Sequence, residues 1–66
     1  MKRFIEIIDS NNNRRFLNIN HIEEIVEKDE NNCSIYMAFN VPDAIEQDYF
    51  LVNKPYREII SMIKED

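Results

Sequence analysis

The side chains able to do chemistry in this chain are few and scattered. There is one histidine, His21, and one cysteine, Cys33. A nucleophilic pair can be written from them on spacing, but a working pair needs a third group to orient the base, and none suggests itself. His21 falls in a predicted turn beside Ile22, where a lone imidazole reads as a surface or capping residue. Cys33 opens a predicted strand, where a free cysteine behaves as a small hydrophobe.

The carboxylates give no stronger pattern. His21, Glu23 and Glu24 could bring an imidazole near two acids, but zinc sites want three or four ligands at recognisable spacing. Asp29, Glu30 and Asn31 resemble a fragment of a calcium loop without its glycine and its distal bidentate glutamate. Asp43, Glu46 and Asp48 pair by count alone, as a solvated loop and strand edge would. No catalytic residue, no metal site and no cofactor site is assigned. The expectation is a protein that is not an enzyme and takes no small-molecule substrate.

The basic residues could contact phosphate. Lys2, Arg3, Arg14 and Arg15 make half of the eight positive charges. In a hairpin turning near Asn11–Asn12, Asp9 faces Arg14, and Arg3 lies at the far end near Asn20. They form no stripe, and Asp9 partly neutralises Arg14. Thirteen acids against eight bases leave a net charge of −5, which repels nucleic acid and anionic membrane at long range.

The elements that must position these side chains follow from the apolar pattern. Sixty-six residues make one domain, spanning 1–66, with a thin core. A 44% hydrophobic fraction argues against disorder. Lys2 to Ile8 alternates as a strand, Asp9 to Asn13 is a turn, and Arg15 to Ile19 is a second strand antiparallel to the first. Asn20 to Asp29 admits two readings. It can be a short helix capped by Asn20 with Ile22, Ile25 and Val26 on one stripe, or a short turn followed by a strand over Glu24–Glu27, which Val and Ile favour.

Glu30–Asn32 is a turn. Cys33, Ile35, Met37 and Phe39 alternate with Ser34, Tyr36 and Ala38 as the clearest strand. Asn40 to Ala44 is a loop punctuated by Pro42, and Gln47 to Val52 is the last strand. Pro55 opens a helix through Lys64, with Tyr56, Ile59, Ile60 and Ile63 on its apolar face. The chain has no glycine and nine asparagines. Asparagine is the next best residue for positive φ, so the Asn clusters mark the turns.

The predicted class is α+β: an antiparallel sheet or small curled barrel of four to five strands with one C-terminal helix. One short helix covers one face of a sheet, yet both faces carry apolar residues. The second face is then covered by a partner, by a second copy in a two-fold dimer, or by curling of the sheet. Phe4, Tyr36 and Phe50 are the expected interaction surface. With no intrachain disulfide possible, no signal-peptide apolar run and no span of about 18 apolar residues, the expected location is the cytoplasm.

Phe16-Leu17-Asn18-Ile19, His21-Ile22, the following acidic turn, and Val52 leading to Tyr56, Glu58, Ile59, Ile60 and Ile63 also form a familiar outline. In these the chain resembles the small β-rich bacterial proteins associated with flagellar and swarming motility, and similar bacterial or phage proteins. It departs from them in lacking glycine in its hairpin turns and in the Asn40–Ala44 loop with Pro42. The resemblance implies a strand at Glu24–Glu27 and no catalytic residues. The function expected is a small protein-interaction or regulatory accessory protein. The alternative is a nucleic-acid-associated regulator using Arg14–Arg15.

Overall fold

A computed structural model describes residues 3–41 and 44–65. Five strands, one 3₁₀ turn and one helix follow in order: β1 (Phe4–Ile8), β2 (Arg14–Asn18), the 3₁₀ turn Ile19–His21, β3 (Ile22–Asp29), β4 (Asn32–Val41), β5 (Ala44–Val52) and α1 (Tyr56–Lys64). The α+β class is as the pattern predicts. The single sheet is not: the strands form an antiparallel pair β1–β2 and a separate antiparallel sheet β3–β4–β5, with no closed barrel. A 3₁₀ turn after β2 lets the chain leave the first pair and start a new sheet. Asn18 caps that turn, its side-chain oxygen accepting from the Asn20 N–H at 2.9 Å.

Periodicity decides which side chains are buried. In the hairpin, Ile5 and Ile7 face inward with Leu17, and Ile5 lies opposite Leu17. In the larger sheet the inward set is Cys33, Ile35 and Met37 from β4 with Phe50 and Val52 from β5. Ile59 of α1 completes one core shared by both sheets and the helix. The strand reading of Glu24–Glu27 holds. Each branched residue there meets β4, Ile25 opposite Ile35 and Val26 opposite Ser34, and that pairing outweighs a two-turn helix.

Three further expectations change. Asn40, Val41 and Ala44 belong to strands, because β4 and β5 stay paired up to Val41 opposite Ala44; Pro42 and Asp43 lie outside the described residues. Pro55 caps α1 from outside, with its carbonyl accepting from the Glu58 and Ile59 N–H groups. The helix buries Ile59 completely and packs Tyr56, Met62 and Ile63 on the core, whereas Ile60 is half-buried and outside that cluster. At 100° per residue, Ile60 sits one step round from Ile59, and the stripe centres on Ile59 and its 3- and 4-spaced neighbours.

Candidate functional site

The hairpin turn is built around one carboxylate. Asp9 is buried. Its Oδ1 accepts from the Asn11 and Asn13 N–H groups at 2.9 and 3.0 Å, and its Oδ2 accepts from Arg15 Nε at 2.6 Å. Asn12 completes the turn at φ 66°, the one described residue with positive φ, where asparagine does the work of glycine. The Arg15 side-chain bond is the main cause that holds the Asp9 carboxyl below the usual aspartate range, reinforced by the backbone bond from Asn13.

This corner also joins the two sheets. The Ser10 N–H donates to the Leu51 carbonyl at 2.8 Å, and the Arg15 guanidinium lies 4.4 Å above the centre of the Phe50 ring. Asp9 was expected to face Arg14, but the register places Arg14 opposite Ile8 and Arg15 opposite Ile7. Arg15 therefore points inward to Asp9, and Arg14 points outward, 4.0 Å from Glu6. The two arginines lie on opposite faces of β2 and make no joint phosphate site.

The nucleophile candidates are kept apart in environment. His21 is exposed at the end of the 3₁₀ turn, and Cys33 is fully buried in the core. Burial raises the Cys33 thiol above its ordinary pKa, which disfavours the reactive thiolate. Among the described residues, no group of three or more His, Cys, Asp or Glu side chains is placed to hold a metal. Asp43 lies outside the described residues, and Asp48 is exposed.

The outward faces carry the feature that calls for a functional account. Phe4, Ile8, Phe16, Tyr49 and Leu51 are large apolar side chains left exposed. On the hairpin, Phe4 and Phe16 stack with centroids 5.0 Å apart and planes 6° from parallel, and Phe16 is 69% exposed. On the larger sheet, Tyr36 and Tyr49 stack at 5.3 Å. An open groove of about 500 Å³ runs beside them, with Ser34 at its floor. The Ser34 side chain is buried, and among the described residues its hydroxyl has no hydrogen-bond partner.

Of the three residues expected at the surface, Phe4 and Tyr36 lie on outward faces, and Phe50 does not. Phe50 is buried in the core beneath Arg15, which corrects the expectation that it is a surface residue. The exposed large apolar residues of β5 are Tyr49 and Leu51 instead. The pattern of β5 is ambiguous, because Asp48 shares a face with Phe50 and Val52 while Gln47 shares one with Tyr49 and Leu51. The outward role of Phe16 and Ile8 was more legible: Glu6 and Arg14 lie on that same face and mark it as the wet side.

No protein-family profile, curated protein or solved structure matches this chain. Among the described residues no helix is long and apolar enough to cross a membrane.

Proposed function

We propose that this chain is a small protein-interaction module, an accessory component that acts by contact and not by catalysis. The observation that carries the reading is the exposed aromatic pair Phe4–Phe16 with Ile8 beside it on one face of the hairpin. Contiguous apolar surface on a small domain marks an interaction site. Flat aromatic rings supply much contact area for little side-chain entropy, which is why they concentrate in binding hot spots. The likeness to motility-associated accessory proteins suits such a role. The nucleic-acid alternative loses support, because Arg15 is committed to Asp9 and Phe50 and, of the Arg14–Arg15 pair, Arg14 alone points outward.

A photo-crosslinking amino acid at position 16, in cells that express the chain, tests this. A protein adduct is expected there and not from the same substitution at Glu23, on the exposed side of β3. The contact should then be rebuilt from purified components. If positions 16 and 49 both give no adduct, the interaction reading is wrong.

A further inference from the structure

We infer that the outer face of the β1–β2 hairpin is a two-fold contact between copies of this chain. Phe4, Ile8 and Phe16 meet the same face of the second copy, and Arg14 of each chain pairs with Glu6 of the other. This rests on the interaction reading above and names its partner.

Charge directs a second copy to the hairpin and away from β3. The whole chain carries −5, so two copies repel at long range. That charge is unevenly placed. Residues 22–30, covering β3 and its turn, hold five acids (Glu23, Glu24, Glu27, Asp29 and Glu30) against Lys28 alone. Residues 3–18 hold Arg3, Arg14 and Arg15 against Glu6 and Asp9. The hairpin is thus less acidic than β3, and two copies meet there with less like-charge contact than they would at β3. A basic partner would be drawn to β3 instead.

The face is also complementary to itself. Its outward side chains are apolar apart from one acid and one base, Glu6 and Arg14, and the polar Asn18. Glu6 and Arg14 are only loosely paired at 4.0 Å, with side chains 60% and 75% exposed. An isologous contact uses the same patch twice, so each residue finds its counterpart in the partner by symmetry. Glu6 and Arg14 then exchange partners across the axis as two equivalent ion pairs.

Size sets the strength. Strands of five residues are about 17 Å long, and two of them side by side are about 10 Å wide. That is well short of the roughly 800 Å² per partner of a standard stable interface. The dimer is therefore weak, forming at about tens to hundreds of micromolar.

Sedimentation equilibrium of the full chain from about 10 to 500 μM tests the inference, with far-UV circular dichroism to check each fold. The parent chain is expected to shift from monomer to dimer across that range. Phe16→Asp should stay monomeric throughout, while Tyr49→Asp, on the other sheet, should dimerise like the parent. Glu6→Arg and Arg14→Glu should each weaken association about tenfold, and the double variant should restore it. A parent chain that stays monomeric overturns the dimer, as does a dimer that survives Phe16→Asp or a double swap that fails to rescue. The interaction reading fails separately, when the crosslinkers at positions 16 and 49 both capture no protein at all.

Discussion

Two turns of this chain are written with nearly the same letters, Asp9-Ser10-Asn11-Asn12 and Asp29-Glu30-Asn31-Asn32. Both begin alike. The aspartate Oδ1 accepts the N–H two residues on, from Asn11 at 2.9 Å and from Asn31 at 2.8 Å. From there they diverge. Asp9 is buried, bonded to Arg15 and seated where the hairpin meets β5. Asp29 is exposed, and its second contact is the Asn32 side chain. Local chemistry makes the turn, and tertiary placement makes one of the two a joint. The regions they serve differ in the same way. The hairpin depends on its corner and a few core residues for attachment, whereas β3–β4–β5 is held by two long ladders and by α1.

The largest effect should come from the core that both regions share. Ile59→Ala deletes a fully buried side chain from the point where helix and sheets meet, at an expected cost of about 2–5 kcal/mol. Ile60→Ala, one residue away and outside the cluster, should cost clearly less. Thermal melts of the two variants check the order. Equal losses would show that α1 is seated on a different stripe.

Next in size is the contrast between the turns. Asp9→Asn keeps an acceptor for the turn but removes the charge that holds Arg15, and it loosens the corner between hairpin and sheet. Asp29→Asn alters an exposed turn alone. Asp9→Asn should lower the melting temperature more than Asp29→Asn. Hydrogen exchange should quicken across residues 4–18 first. If both variants melt alike, the Asp9 corner is no joint.

Acid sharpens the same comparison. Both carboxyls sit below the ordinary aspartate range, Asp9 chiefly through Arg15 and Asp29 chiefly through the Asn31 N–H. A lowered folded pKa means stability that is present above the unfolded value of about 3.9 and lost as pH falls through the folded one. Urea melts from pH 6 down toward pH 2 should therefore show stability dropping below about pH 4. Asp9→Asn should flatten that drop more than Asp29→Asn. A parent chain with constant stability across this range would remove the proposed role of both carboxylates.

The smallest expected effect is at Ser34, whose buried hydroxyl has no partner among the described residues. An unmade hydrogen bond in a buried place costs about 1–3 kcal/mol. Ser34→Ala removes the orphan at little change in volume, so stability should hold or rise slightly. A clear loss in the melt would mean the hydroxyl is satisfied in solution, for example by a water in the groove beside it.

Much of this architecture is legible in the residues. The alternation at Cys33, Ile35 and Met37 marks β4 and its inward face without conflict, since Ser34 and Tyr36 put hydroxyls on the other side. The Asn clusters locate the turns, and Asn12 takes the positive φ that asparagine tolerates. Pro55 with Tyr56, Ile59 and Ile63 marks the helix. These are local signals, set by backbone sterics and by a period of two or 3.6 residues.

Tertiary structure decided the rest. The split into two sheets depends on where the chain turns after Asn18, and strand pairing beyond a hairpin leaves no period to read. Whether Phe50 or Tyr49 faces the core depended on which face of the larger sheet the hairpin and α1 covered. A one-residue choice of face moves every side chain of a strand to the other side. Asp9 and Asp29 carry the same local instruction, yet only one was buried against an arginine. Its partner was set by register, with Arg15 and not Arg14 on the inner face of β2. The sequence alone determined the elements, their turns and the scarcity of chemical groups. Which faces became core, and which apolar side chains were left outside to meet another molecule, only the packing of the two sheets could decide, because burial is a property of what lies opposite.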